Sequence, residues 1–388
     1  MADVYSNAYL TIAASRAEHC GEGFLGLRAV SFLLCIDIED DNGSFELYFQ
    51  PPSTLTNEHS QPLDRRAWAV QEALLSHRVL RFDFERMTWG CDEFYGTEDG
   101  HTKPAGRIGA RQIEEITESL WQHTYHEFAS DHWAQFVESY SACQVTYETD
   151  TFPAISGVVR KIQQATGDIY YAGLWKEHFL GGLLWSPKTD LRPYNNNSVV
   201  EPSGKPKRRQ QWVAPSWSWA STKGVIEYQP IDYYTYCARL EECRVTYSGL
   251  DPFGALTTGF ARLTGPVTSI TAVGSDTMIQ LRNGTLAEAI IKFDFAEFDF
   301  VKNGSCGALM ITPHQGICIE KVGQSTARFS AKLDQLLRRP AERLFKKAMP
   351  SVALETYLRI GILDLKPVNR SMNFTARDHV KPCSIILM

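Results

Sequence analysis

Two short clusters place polar side chains among large aromatic rings, a pattern typical of a binding site or of a tightly packed core. In the segment RRAWAVQEALLSHR, Arg66 and Gln71 accompany Trp68 at helical spacing. Buried among apolar neighbours, an arginine or a glutamine is costly unless it is hydrogen-bonded. The segment therefore predicts either polar groups of a site or a structural network, in which Arg66 pairs with Glu72 or with a backbone carbonyl.

The second cluster, APSWSWAS, carries Trp217 and Trp219 two residues apart. Side chains alternate between the two faces of a strand, so in a strand these rings would share one face and Ser218 would point the other way. This pattern predicts either the edge of a core strand or the aromatic wall of a pocket.

A glycine-rich segment near the start of the chain raises the question of a nucleotide site. GEGFLG has glycines at positions 21, 23 and 26, which satisfies the pattern of dinucleotide-binding turns. Such a turn needs a strand before it and a helix after it, whereas the residues that follow predict a strand. We therefore expect a surface turn here. No P-loop, kinase or nucleophile-elbow motif accompanies it, and GSCG at 304–307 lies between predicted strands.

Three histidines are the candidates for metal binding. His123, His126 and His132 lie on one predicted helical stretch, together with Glu127 and Asp131. The HExxH spacing of zinc enzymes is missing, and no cysteine stands at ligand spacing. We expect a polar helix face, and we predict a protein without metal or cofactor.

Composition excludes several classes of protein. The 388 residues carry a net charge of −6, whereas dedicated nucleic-acid binders usually have a basic surplus. No run of 18 apolar residues predicts a membrane span, and no secretory signal is evident. The nine cysteines form no CxxC pair, which is typical of reduced thiols. We therefore predict a cytoplasmic protein that binds no nucleic acid, and its oligomeric state is left open.

Hydrophobic periodicity predicts an α+β fold in one compact unit. It indicates four regions: short strands and helices over 1–100, a helical region over 101–190, a mobile loop over 191–212 and an antiparallel β-rich region over 213–388.

The same patterns predict individual elements. A helix starts behind a cap at Asp3 and precedes a strand at 10–14. A hairpin turns at DNG, residues 41–43. A further helix begins with Pro153 at its first position and ends before Gly167.

Several blocks of the sequence resemble the fungal HET (heterokaryon incompatibility) domain family. These blocks are VYSNAYLTIAAS, PLDRRAWAVQEALLSHRVLRF, DTFPAISGVVRKIQQATGDIYYAGLWKEHFLGGLLW and APSWSWAS, in the order usual for that family. The resemblance covers most of residues 1–270, and more weakly YLRIGILDL near the end. It implies that the first region is a remnant of a TIR-like α/β fold.

One departure from the family pattern concerns the start. HET domains normally begin with a YxALSYxWG-like block and an IDALCIDQ-like strand, and this chain has neither. A parallel sheet without its first strands would leave unpaired edges and an uncovered apolar face. We therefore expect either a remnant rebuilt around the C-terminal part or a fragment of a longer protein.

The resemblance implies two functions of different classes. HET-like proteins occur in fungal secondary metabolism, including cofactor-free Diels–Alderases that act on terpenoids, which suggests a pericyclase for an apolar small molecule. In that case hydrogen-bond donors and aromatic walls carry the chemistry. The candidate catalytic donors are Arg66, Gln71 and Tyr171, and the candidate substrate-binding rings are Trp68, Trp89, Trp175, Trp217 and Trp219. The alternative is a non-enzymatic self/non-self recognition protein that triggers programmed cell death.

Overall fold

The chain folds as an α+β protein. The computed structural model describes residues 1–26, 34–40, 43–49, 61–98, 100, 102–104, 113, 115–118, 132–188, 207–230, 236–273, 276–280, 286–295, 306–321, 356–365 and 383–388. These residues form two compact units, where we expected one. Unit 1 contains those within Met1–Glu115 and Cys143–Val145, and unit 2 contains those within Ile116–Ala142, Thr146–Arg192 and Val200–Met388.

The described residues of unit 1 form two short helices, a five-stranded sheet and a separate hairpin. Its sheet has the order β1-β4-β5-β6-β7, in which β1 pairs with β4 in parallel and the other pairs are antiparallel. Strands β2 and β3 pair with each other. The elements are α1 (Ala2–Ser6), β1 (Thr11–Ala13), β2 (Leu34–Asp40), β3 (Gly43–Phe49), α2 (Ala67–Leu75), β4 (Arg78–Phe82), β5 (Met87–Cys91), β6 (Phe94–Thr97) and β7 (Thr102–Pro104).

In unit 1 the sequence patterns predict one strand and one hairpin correctly and one helix cap wrongly. The predicted strand at 10–14 is confirmed as β1, and the predicted hairpin as β2 and β3. The cap at Asp3 is wrong, because the N-cap residue of α1 is Met1, two residues earlier, and it makes no side-chain cap. Asp3 lies in the first turn, where its negative charge interacts favourably with the positive end of the helix dipole.

Unit 2 begins with helices and short strand pairs. A 3-10 turn at Pro153–Ile155 leads into helix α4 (Ser156–Thr166), so Pro153 starts the turn and the helix begins three residues later. Gly167 ends α4 with φ of +71°, as predicted. The elements are α3 (His132–Ser141), α4 (Ser156–Thr166), β8 (Tyr170–Tyr171), β9 (Leu174–Trp175), α5 (Phe179–Gly182), β10 (Trp185–Pro187), β11 (Lys207–Arg208), β12 (Thr222–Lys223) and β13 (Ile226–Tyr228).

Nine further strands make one large sheet. They are β14 (Arg239–Tyr247), β15 (Leu256–Gly265), β16 (Val267–Val273), β17 (Asp276–Gln280), β18 (Leu286–Phe293), β19 (Cys306–Met310), β20 (Gln315–Lys321), β21 (Thr356–Leu365) and β22 (Cys383–Leu387). Their order is β14-β15-β22-β21-β18-β17-β16-β19-β20. Because β20 also pairs with β21, six of them close into an antiparallel barrel.

Apolar side chains fill this barrel. Ala308, Met310 and Ile360 are fully buried there, with Leu363 and Leu365 beside them. Barrel diameter grows with the number of strands, and about eight strands leave an interior just wide enough for side chains, so this narrower six-stranded barrel forms a packed core. The β-rich C-terminal half predicted from turn signals is confirmed in these strands.

Several predictions fall on residues that lie outside the described ones. These include His123, His126 and the part of the expected loop at 191–206. Among the helices that the structure does describe, none has the length and apolar character needed to cross a membrane.

Candidate functional site

The eight predicted site residues are divided between the two units. Unit 1 holds Arg66, Trp68, Gln71 and Trp89, and unit 2 holds Tyr171, Trp175, Trp217 and Trp219. Each group is therefore described by itself.

In unit 1, Arg66 is exposed at the N-terminus of α2, so the expectation that this arginine is buried is wrong. Its pairing with Glu72 or with a backbone carbonyl stays a prediction. The backbone around it is held by Gln144, whose carbonyl accepts from Ala67 N–H at 3.0 Å and whose N–H donates to the Arg65 carbonyl at 2.5 Å. The Arg66 side chain thus projects from a fixed point.

The other residues of this cluster differ in exposure. Gln71 is buried, whereas Trp68 and Trp89 are half-buried. Burial, followed by the neighbouring Glu72 carboxylate, raises the pKa of Tyr5, which keeps this phenol protonated. Unit 1 therefore carries an exposed arginine near the Glu72 carboxylate and the Tyr5 phenol, and, separately described, two half-buried indoles.

The glycine-rich segment forms a surface turn. Gly21 and Gly23 are exposed, and Gly23 has φ of +74°. The Arg16 guanidinium donates to the Gly26 carbonyl at 2.9 Å, and these residues border an open cavity of about 350 Å³. No group of three or more metal-ligating side chains is present among the described residues.

In unit 2 the central feature is the tight turn between β8 and β9. Ala172 has φ of +46° and Gly173 has φ of +99°, and Ala172 is the one non-glycine residue with positive φ among those described. A left-handed conformation is costly for alanine and suits a two-residue hairpin turn. The surrounding contacts must hold this turn in place.

Three side chains bind the two carbonyls of the turn. The Gly173 carbonyl accepts from Trp219 Nε1 at 3.1 Å and from Trp133 Nε1 at 3.3 Å. The Ala172 carbonyl accepts from Ser218 Oγ at 2.6 Å. The indole N–H, the only side-chain donor of Trp219, therefore binds a backbone carbonyl. This gives the predicted substrate-binding ring an architectural role.

The prediction of a strand at APSWSWAS needs correction. The segment makes a turn at Pro215–Ser218 and then a 3-10 helix at Trp219–Ser221, and Ser218 caps that helix by accepting from Ala220 N–H at 3.1 Å. Ser218 is as buried as its two neighbouring tryptophans, because its hydroxyl must reach the hairpin turn.

The hairpin separates the aromatic rings of unit 2 into two groups. Tyr170 and Trp175 are cross-strand partners and Tyr171 pairs with Leu174, so neighbouring residues of β8 face opposite sides. The first ring group is linked by centroid distances of 5.1 to 6.2 Å and contains Trp133, Phe136, Tyr140, Phe152, Tyr170, Trp175, Trp219 and Phe253. The second ring group contains Tyr171, Phe179 and Trp217.

The first ring group is closed to solvent. Trp175 is 1% exposed and Trp219 is 2% exposed. Edge-to-face contacts such as that between Trp133 and Trp175, at 5.5 Å, are favourable in a packed core. This group anchors the hairpin.

The second ring group reaches the surface. Phe179 lies 6.4 Å from Tyr171 and 5.3 Å from Trp217, measured between ring centroids. Tyr171 is half-buried, whereas Trp217 is fully buried. The Trp217 indole N–H has no hydrogen-bond partner among the described residues. A buried donor left in this state costs about 1–3 kcal/mol, so it requires an explanation.

Two residues of β14 complete the surroundings of Tyr171. These residues are Cys243 and Tyr247. Burial is the main cause that raises the pKa of Tyr247 to about 12, and the electrostatic effect of Cys243 is the second. The same two causes raise the pKa of Tyr171. Both phenols therefore stay protonated at neutral pH and can donate hydrogen bonds. Together the second ring group, Cys243 and Tyr247 form our candidate site, an aromatic surface with one deep indole donor and two shallow phenols.

Helix α3 supports the hairpin from the other side. It carries Trp133, and its side chains hold the backbone of β13. Glu138 Oε1 accepts from Tyr228 N–H at 2.7 Å, and Ser141 Oγ accepts from Ile226 N–H at 3.0 Å. These bonds satisfy strand donors that would otherwise stay unpaired.

Sequence reasoning missed the residues that position the site. Gly173 and Ser218 were not assigned roles, and Phe179 was not placed beside Trp217. An Ala-Gly pair between YY and LW is a signal for a two-residue turn, since glycine readily takes positive φ. No pattern in the sequence indicated which ring would face which side.

Comparisons with protein-family models, with curated proteins and with solved structures find no significant match to this chain. The fold defines an α+β protein whose larger unit is built on a closed antiparallel barrel. Its candidate site is an aromatic surface with one buried indole donor and two half-buried phenols.

Proposed function

We propose that the protein is a cofactor-independent pericyclase that performs a Diels–Alderase-like [4+2] cyclisation of an apolar polyene in fungal terpenoid metabolism. In such a step two carbon–carbon σ bonds form as two π bonds are consumed. No atom is gained or lost and no oxidant is needed. The protein has only to hold the reacting ends together and to polarise one of them.

The observation that supports this proposal is the orphaned indole N–H of Trp217. It lies fully buried next to Phe179, in surroundings that supply no acceptor among the described residues. A carbonyl group on an otherwise apolar substrate would complete this hydrogen bond. A donor aimed at an oxygen that gains charge in the transition state is most effective in such a water-free environment.

The aromatic rings supply the second contribution. Orientation of two reacting groups accounts for up to about 7–11 kcal/mol of a barrier. Tyr171 and Phe179 offer flat apolar faces that favour a folded polyene. Trp217 is fully buried and Tyr171, the other neighbour of Phe179, is half-buried, so in this proposal the substrate enters by displacing the Tyr171 ring.

The experiment compares the cyclisation rate of a carbonyl-bearing polyene with purified wild-type protein and with Trp217→Phe. We expect turnover without added cofactor, and a loss of about 100-fold or more in Trp217→Phe, because one donor to a developing oxyanion is removed. Trp212→Phe is the matched control, since Trp212 is exposed. Equal rates and stereochemistry with and without protein would overturn the proposal.

The remaining expectations belong to the same proposal. The protein would derive from a TIR-like HET domain, reside in the cytoplasm, take an apolar small molecule as its partner and bind no nucleic acid. The net charge of −6 supports the last point.

A second candidate is the non-enzymatic recognition protein of the HET family. Unit 1 supports it with exposed apolar side chains between α1 and β1 and on β1 itself, where Tyr9 is 83% exposed and Ile12 is 58% exposed. Exposed apolar patches often mark protein interfaces. This candidate predicts growth arrest on overexpression in a fungal host, relieved by Tyr9→Ser with Ile12→Ser. Healthy wild-type transformants would contradict it.

A further inference from the structure

The position of Trp217 depends on one buried arginine of the barrel. Trp185 Nε1 donates to the Trp217 carbonyl at 3.1 Å. Arg359 in turn donates from Nη2 to the Trp185 carbonyl at 2.5 Å, and its guanidinium carbon lies 3.5 Å from the centroid of the Trp185 ring. The guanidinium therefore fixes both the backbone and the ring of the residue that holds Trp217.

Arg359 also contacts Ser216, the residue that precedes Trp217 in the chain. Its backbone N–H donates to Ser216 Oγ at 3.0 Å, and the same hydroxyl donates to the Met388 carbonyl. Trp217 is thus held on one side by Trp185 and on the other by Ser216, and Arg359 contacts both.

Asp294 fixes the guanidinium itself. Arg359 Nη1 lies 2.6 Å from Asp294 Oδ2, and the two side chains are 0% and 1% exposed. Removing two charges from water costs several kcal/mol per ion, which their attraction offsets only partly. Here Asp294 Oδ1 and Arg359 Nε also have no hydrogen-bond partner among the described residues, so the pair is a poor means of stabilising the fold.

We propose that Asp294 and Arg359 are positioning residues that set the orientation of the Trp217 indole, and that proton uptake by Asp294 releases it. This inference rests on the proposed function for its catalytic meaning. Its structural content, the coupling of Asp294 to Trp217, does not depend on any substrate.

The groups facing Asp294 come from several elements. Arg359 on β21 and Arg208 on β11 favour its charged form, and Arg208 is itself held over the Phe295 ring at 4.4 Å. Cys318 on β20 is a neutral thiol, because burial raises its pKa well above the usual value. Tyr228 on β13 lies near Arg359. Burial outweighs both arginines and raises the pKa of Asp294 to about 6.

Protonation would therefore occur close to neutral pH. It removes the counter-charge of a guanidinium that has no access to water. The guanidinium would then lose its ion pair and could shift. Because Arg359 donates to the Trp185 carbonyl and Trp185 donates to the Trp217 carbonyl, such a shift would move Trp217.

The test follows the indole N–H resonance of Trp217 in ¹⁵N-labelled, ligand-free protein between pH 5 and 7.5. Trp217→Phe assigns the resonance by its disappearance. We expect a chemical-shift transition with a midpoint near 6 that vanishes in Asp294→Asn and persists in Asp251→Asn. Asp251 is the matched control because its ion pair with Arg160 is 39% exposed.

A second variant covers the case in which Asp294→Asn fails to fold. In Arg359→Lys at pH 7, the Trp217 resonance should move by more than its line width while that of the exposed Trp212 stays in place. A Trp217 resonance that is independent of pH, or that titrates unchanged in Asp294→Asn, would overturn the inference. Since no substrate is present, this result is separate from the success or failure of the cyclisation assay.

Discussion

The indole nitrogen of Trp219 lies 3.1 Å from the carbonyl oxygen of Gly173, and a methyl group on Gly173 would stand 2.3 Å from that nitrogen. The Gly173→Ala variant must therefore displace Trp219 and also adopt φ of +99°. We expect a loss of unfolding free energy of about 3 kcal/mol or more, measured by urea denaturation.

Gly167 is the matched control for this substitution. It also has positive φ, at +71°, but a methyl group there would meet nothing within 4 Å. Gly167→Ala isolates the conformational cost, about 1 kcal/mol. Equal losses in the two variants would show that Trp219 does not constrain the turn.

The edge of β13 gives a second prediction through Glu138. Its carboxylate accepts from Tyr228 N–H at 2.7 Å, and burial raises its pKa. Glu138→Gln keeps an acceptor oxygen and should cost less than about 1 kcal/mol of unfolding free energy. Glu138→Leu leaves a strand N–H unpaired and should cost about 1–3 kcal/mol more. Thermal denaturation of both variants measures the two losses. Equal stability of Glu138→Gln and Glu138→Leu would show that the hydrogen bond to Tyr228 N–H does not stabilise the fold.

Local sequence patterns predicted the helix before Gly167 and the β-rich region, whereas the hairpin of the site and the partners of its side chains depend on tertiary contacts. Gly167 was predicted to end a helix because only the adjacent residues decide that geometry. Arg359 and Asp294 are 65 residues apart, and their pairing follows from strand neighbours that no local periodicity specifies. Trp217 and Trp219 were predicted to share a strand face, but the hydrogen bond from Ser218 to Ala172 favours a turn.

Asp294 gives a prediction about stability and pH. Its pKa is about 6 in the fold, where burial is the main cause, and near 3.9 in an unfolded chain. The folded state therefore binds the proton more tightly between these values. The stability that this group contributes is present below pH 4 and is lost as the pH rises to 6.

Asp294→Asn stays neutral throughout, so the unfolding free energy of wild type minus that of the variant should fall by about 1–3 kcal/mol between pH 4 and 7. Urea denaturation at a series of pH values measures this difference. A constant difference, or one that grows with pH, would contradict the raised pKa.

Arg66 provides the test of the predicted site in unit 1. Its side chain is exposed, so Arg66→Ala should change unfolding free energy by no more than about 0.5 kcal/mol. If Arg66 is a catalytic donor, turnover in the cyclisation assay should fall while the melting temperature stays the same. Unchanged turnover would leave the candidate site of unit 2 as the place of the chemistry.

The order of strands in the barrel sheet has a consequence for synthesis on the ribosome. Strand β15 pairs on its inner side with β22, and Thr264 meets Ser384 across 120 residues of chain. Until that last strand emerges, β15 exposes a row of backbone donors and acceptors, which is a template for association with other nascent chains. Such long-range pairing also folds slowly. Recombinant yield should therefore depend on translation speed and growth temperature more strongly than the equilibrium stability of the finished protein would suggest.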